Sequence, residues 1–190
     1  MRRHTIFLLF AALFHTSALL AAEDPLALLE QAGSLLRQGD AVAAFETARR
    51  ATIAISGAMP LTVRRAELVA RPVEGYGMYE KRADRRFRGD EPVLIYAEPA
   101  GYRIEGEGPY RWGFAADVAI ATPAGEILSG KYDFGSWTFT SQEPNLETFL
   151  MLTLEFSGLP AGTYQVIIDL RDRYAEGATA RFALPIEIVE

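Results

Sequence analysis

Apolar positions along this chain change period once, near residue 59. Between Asp24 and Gly57, Leu26, Leu29, Ala32, Gly33 and Leu36 recur at spacings of three and four, and Ala41, Ala44, Phe45, Ala48 and Ala51 do the same. That spacing gathers each set on one side of a helix. Gln38-Gly39-Asp40 interrupts it with a glycine suited to a helix end and an aspartate suited to a helix start. The pattern predicts a helical hairpin over residues 23–57. Met59-Pro60 then marks a boundary, and the period falls to two. Leu61, Val63, Glu67 and Val69 open the alternation, and Val93-Leu94-Ile95-Tyr96-Ala97 is apolar on both faces, as a central strand would be. Trp112, Phe114, Ala116, Val118 and Ile120 alternate cleanly, as do Leu150, Leu152, Leu154 and Phe156. So do Val166, Ile168 and Leu170, and Phe182, Leu184, Ile186 and Ile188. Pro123-Ala124-Gly125 punctuates a turn, and Pro185 inside the last strand predicts an edge or a bulge. Seven or eight strands with turn signals roughly every ten residues predict an antiparallel β-sandwich over 58–190.

Glu126 to Phe134 and Ser136 to Thr140 read as a hairpin of their own, with Gly135-Ser136 as a two-residue type II′ turn. Phe134 then pairs with Trp137 and Tyr132 with Phe139, so all four rings share one face. Either that face packs on the core, or it projects as an aromatic platform; burial of Trp112 and Trp137 separates the two.

Before the helices, Met1-Arg2-Arg3-His4 leads into an apolar run from Thr5 to Leu20 and ends at Ala21-Ala22. A basic start, a short apolar stretch and a small-residue end predict an export signal peptide over 1–22. The run is short for a membrane span and is interrupted by His15, Thr16 and Ser17. No Cys follows it to carry a lipid. Its removal takes Arg2 and Arg3 and no acid, so 19 basic residues become 17 against 25 acidic, a formal −8. A net-acidic exported chain is poorly suited to nucleic acid or anionic lipid. Localisation is therefore expected to be periplasmic or secreted, with no stable membrane insertion after cleavage.

Removal of that segment also changes the chemistry available. Both histidines, His4 and His15, lie inside it, and the chain has no Cys. The remaining protein cannot use Ser-His-Asp or Cys-His catalysis, His/Cys zinc sites or disulfides. An apolar core must carry its stability, and a whole-chain content of 49% hydrophobic residues suffices for one. No cofactor, no metal and no catalytic residue is assigned. Asp169, Asp172 and Glu176 are acids near a strand end that lack EF-hand spacing. A glycosidase would need two carboxylates facing each other across a cleft, which Asp117, Glu98, Glu105 and Glu107 do not reveal by spacing.

The helical hairpin resembles a single tetratricopeptide unit, through Gly33, the Gly-Asp turn, Ala44 and Ala48-x-x-Ala51. The family's aromatic positions in the first helix are missing and no second copy follows. The resemblance implies a hairpin used for packing or protein contact. In Gly158-Leu159-Pro160-Ala161-Gly162-Thr163-Tyr164, a Tyr follows a Pro/Gly corner at a strand start. This resembles the tyrosine corner of Greek-key, immunoglobulin-like sandwiches, with Pro160, Gly162 and Tyr164 in structural roles.

Three surface stretches remain. Lys81 to Arg88 holds Arg82, Arg85, Arg86 and Arg88 beside Phe87, a candidate grip for an acidic partner or simply a solvated loop. Arg88-Gly89-Asp90 spells an adhesion tripeptide too short to count. The glycines of Gly75-Tyr76-Gly77-Met78-Tyr79 would let two tyrosines fold back over the sandwich. The expected function is that of an exported, non-catalytic interaction or assembly protein of a bacterial-type cell envelope. It would dock a protein partner through its helical hairpin or a sandwich edge. The alternative is a carbohydrate-binding module using Tyr132, Phe134, Trp137 and Phe139.

Overall fold

The computed structural model describes residues 23–190, so the expected signal peptide at 1–22 lies outside the described residues. Two helices, α1 (Pro25–Arg37) and α2 (Ala41–Ala58), precede eight strands. These are β1 (Thr62–Leu68), β2 (Arg86–Arg88), β3 (Val93–Ala100), β4 (Tyr110–Ala121), β5 (Ile127–Ser141), β6 (Leu150–Leu154), β7 (Gly162–Asp172) and β8 (Thr179–Val189). They form two sheets, ordered β1-β3-β6 and β2-β8-β7-β4-β5. The protein is a β-sandwich with an N-terminal helical hairpin. All pairings are antiparallel except β2 with β8, which is parallel.

The helices start where capping chemistry places them. Asp24 accepts from the Leu26 amide at 3.0 Å, with Pro25 in the first turn, and Asp40 accepts from the Ala43 amide at 3.0 Å. Gly39 closes α1 at φ 85°, a left-handed value that costs glycine nothing.

The alternating positions face one another between the sheets. Trp112, Phe114, Ala116, Val118 and Ile120 of β4 and Val166, Ile168 and Leu170 of β7 are buried against Leu150, Leu152 and Leu154 of β6 and Val93 and Ile95 of β3. Phe156 packs half-buried beside them. The tyrosine corner is present: the Tyr164 hydroxyl donates to the Pro160 carbonyl at 2.9 Å, with the ring buried. Pro185 sits opposite Gln165 of β7, while the parallel partner covers only Glu187–Val189. At Pro185 the strand is therefore locally an edge, where a missing amide proton costs no ladder bond.

One expected element is overturned. Gly135-Ser136 is not a turn, and there is no 132–139 hairpin. β5 runs unbroken from Ile127 to Ser141 along β4, with Gly135 opposite Ala116 and Ser136 opposite Ala115. The real hairpin turn is at Thr122–Glu126, closed by Gly125 N–H to the Thr122 carbonyl and Glu126 N–H to the Thr122 hydroxyl. The cause lies in β4, whose long apolar alternation offers β5 a full-length partner that a short local hairpin cannot match. Gly135 instead makes room: a Cβ there would lie 2.7 Å from the Trp137 indole.

Candidate functional site

Two surfaces could act on a partner. The first is the helical hairpin. Its two helices meet through Leu28 and Ala32 of α1 and Ala44, Thr47 and Ala51 of α2, all buried. Leu28 apart, the residues of that seam are small, and Leu26, Leu29, Leu36, Val42 and Phe45 are exposed. Leu26, Leu29 and Leu36 form a stripe along α1, and Val42 and Phe45 begin α2 beside the turn. Leu36 is 62% exposed, Val42 78% and Phe45 66%. At the base of the hairpin Ile53 and Ser56 line a pocket together with Tyr102 and Ile104 of the sandwich, and Arg49 pairs with Glu143 at 3.4 Å.

The second surface is the outer face of the larger sheet. Tyr132 and Asp133 belong to an irregular stretch of β5: Ala116 pairs with Gly135 and Val118 with Lys131, so Tyr132, Asp133 and Phe134 stand opposite Asp117 alone. Asp133 adopts φ 47° there, a region Asp tolerates. Its amide donates to Asp117 at 2.8 Å, and Arg171 bridges the carboxylates of Asp117 and Asp133. The Arg171 guanidinium lies 5.7 Å from the Tyr132 ring centroid, a cation–π contact beneath a ring that is 82% exposed. Alongside, Arg181 pairs with Asp169 through two bonds of 2.6 and 2.8 Å.

The structure separates the four aromatics expected on one face. Only Tyr132 projects into solvent. Phe134, Trp137 and Phe139 are half-buried against the core, and Phe139 stacks on Trp112 at 5.6 Å. Trp112 is buried and donates its indole N–H to Thr148 at 3.0 Å, where Tyr102 also bonds at 2.8 Å. Burial pushes the Tyr102 phenol up to about 12, against the lowering effect of the Thr148 bond.

The basic cluster is also divided. Phe87 is buried, so Arg86 and Arg88 flank it on the solvent side of β2. Arg82 lies over the Phe87 ring at 4.1 Å and bonds Glu91 at 2.6 Å and the Arg86 carbonyl at 2.6 Å. Its Nε is buried without a hydrogen bond, with Asp84 at 3.5 Å. Arg82 thus ties the loop together. Burial works to raise the Glu91 carboxyl, and the bonds from Arg82 and the Arg88 amide outweigh it, leaving it below the ordinary carboxylate value. Arg86 faces Glu187 at 3.8 Å, while Arg85 and Arg88 make no ion pair among the described residues.

Two features were reachable only in part from sequence. The Gly75–Tyr79 segment does fold back: Tyr79 stacks on Tyr96 at 4.5 Å, and the Gly77 amide donates to the Tyr96 hydroxyl at 2.8 Å. Beneath it, Glu98 is buried and accepts from Tyr96 at 2.8 Å and Tyr76 at 3.4 Å, with Arg65 at 3.6 Å. The apolar run at Val93–Ala97 signalled burial on both faces, yet nothing in it announced a buried carboxylate. Asp169 and Asp172 point to opposite faces of β7. Asp169 is held by Arg181, and Asp172 accepts the Arg103 and Tyr174 amides. Among the described residues no three His, Cys, Asp or Glu side chains converge as a metal site.

No protein-family model matches the chain, and no curated protein matches it in sequence. Similar solved structures include CopC from Methylosinus trichosporium OB3b, 13% identical over 65% of this chain and 93% of that one, with a TM-score of 0.30. A candidate superoxide reductase from Thermotoga maritima is 14% identical over 57% and 83%, at 0.34. The alkylpurine DNA glycosylase AlkC of Pseudomonas fluorescens is 8% identical over 88% of this chain and 43% of that one, at 0.37. Likenesses this low carry no argument about function. Among the described residues no helix is long and apolar enough to cross a membrane.

Proposed function

We propose that this chain is an exported, non-catalytic interaction protein of a bacterial-type cell envelope, docking a protein partner on its helical hairpin. The supporting observation is the uncovered apolar surface at Leu29, Leu36, Val42 and Phe45, in a hairpin whose seam, Leu28 apart, is filled by small residues. Large exposed apolar side chains grouped on one element mark an interaction surface. A lone helix–turn–helix unit of tetratricopeptide type buries its outer face only against a neighbour. The absence of His and Cys after residue 15 leaves this protein no imidazole- or thiol-based catalysis. The test places a photo-crosslinking residue at Phe45, or at Thr163 as a control, in the producing cell. A discrete adduct at Phe45 alone, lost when Leu36 and Val42 become Ser, is the expected result. Equal labelling at both positions, or none at Phe45, overturns the reading.

A second reading, carbohydrate binding, now rests on Tyr132 alone, an exposed ring backed by Arg171 beside hydrogen-bonding carboxylates. It predicts that Tyr132→Ala abolishes binding to a glycan panel without lowering the melting temperature.

A further inference from the structure

The two sheets are unequal. Five strands face three, and no described strand pairs with β6 on the side away from β3. Past the Leu154 end of β6 the space is shared with β5, since Phe134 lines one cavity with Leu154 and Phe156, and Phe134, Trp137 and Phe139 are only half-buried. At the end of that open side is a cavity of about 300 Å³, lined by Val118, Ile120, Phe134, Leu154, Phe156 and Leu159. It is open to solvent on one side, where Ser129, Lys131, Glu155 and Ser157 complete the lining, and has room for one large apolar side chain. The irregular stretch at Tyr132–Phe134 sits on its β5 side, and bulges of this kind re-aim side chains at sheet edges. Lys131 on the β5 side and Glu155 on the β6 side are exposed residues of its lining, the Lys131 ammonium lying 5.6 Å from the Phe134 ring centroid. Neither makes an ion pair among the described residues.

We infer that the β6 edge receives an extended segment of a partner protein as a fourth strand, with one large apolar side chain seated in this cavity. A strand is the occupant because only an extended backbone satisfies a free row of ladder groups while sending alternate side chains inward. The opposite charges at the mouth select a segment whose anchor is flanked by an acid toward Lys131 and a base toward Glu155. The inference is independent of the hairpin surface, because neither the β6 edge nor the cavity lining includes a residue of α1 or α2; Leu36→Ser and Phe45→Ser should leave strand binding unchanged.

The test uses the folded protein and short capped peptides, threonine-rich, with a central leucine or phenylalanine between one glutamate and one lysine. Binding is read by fluorescence anisotropy and by amide exchange. The expected result is that replacing the central residue by alanine weakens binding about tenfold. Methylating alternate peptide amides abolishes it, and amides of β6 gain protection. Ser129→Trp and Ser157→Trp, at exposed positions of the rim, weaken binding about tenfold without changing the melting temperature. Lys131→Glu with Glu155→Lys transfers the preference to peptides with reversed flanks. Equal binding by the methylated peptides, protection confined to other strands, or no binding by any peptide of the panel at millimolar concentration overturns the inference.

Discussion

At the scale of single residues, hydroxyl groups hold the ends of the sandwich. Tyr164 closes the corner before β7 through one bond to Pro160. Tyr164→Phe keeps the packing and loses that bond, so it should cost about 1 kcal/mol or slightly more in chemical denaturation. Trp137 lies half-buried over Gly135. Trp137→Ala should cost roughly 2 kcal/mol, below the ~3–5 kcal/mol of a fully buried ring. A mutant as stable as the parent would show that the indole contributes no packing. Tyr102 and Tyr96 give a pH signature. Burial pushes both phenols up to about 12, and for Tyr96 the Glu98 carboxylate adds to the rise while the Gly77 amide opposes it. In the unfolded chain they would titrate near 10. Their contribution is therefore complete below about pH 10 and is lost as the pH rises through about 12. Spectroscopic titration should show these tyrosines ionising late and together with unfolding, and Tyr102→Phe should flatten the alkaline limb.

At the scale of elements, the hairpin and β5 make different use of apolar residues. The hairpin is set by caps and a glycine turn, so Asp40→Ala should cost about 1 kcal/mol, read from the melting temperature. Its outward residues touch little. Leu36→Ser and Phe45→Ser should leave stability within about 0.5 kcal/mol while removing partner binding. β5 is the opposite case, since three of the four rings that a local hairpin would have presented are spent on the core. The difference is one of available partners: β4 supplies β5 with a neighbour along its length, whereas α1 and α2 have chiefly each other.

At the scale of the whole molecule, stability rests on one core between two sheets, with a polar layer outside it. Glu98 with Tyr76, Tyr96 and Arg65 secures the loop over the small sheet, and Arg171 with Asp117 and Asp133 secures the irregular stretch of the large one. None of these depends on thiol or imidazole chemistry. Dithiothreitol and chelator should leave the melting curve of the protein after residue 22 unchanged. A fall with chelator would reveal an oxygen-ligand cation site.

The chain's local pattern determined a good deal. The period change near Met59, the cap at Asp40, the alternation of β4, β6, β7 and β8 and the corner at Tyr164 all depend on neighbours within a few residues, and sequence displays those directly. What only tertiary structure decided depends on residues far apart. Pairing with β4 overruled the apparent turn at Gly135-Ser136, because a ladder of many bonds outweighs a local preference of two residues. Burial of Phe87 turned Arg82 inward and split the basic cluster. Five strands set against three left the β6 edge and its cavity open. Which apolar residues of α1 and α2 remain uncovered was likewise undecided by their spacing: a 3–4 period shows that a face exists, and only the packing of the two helices shows which face is spent.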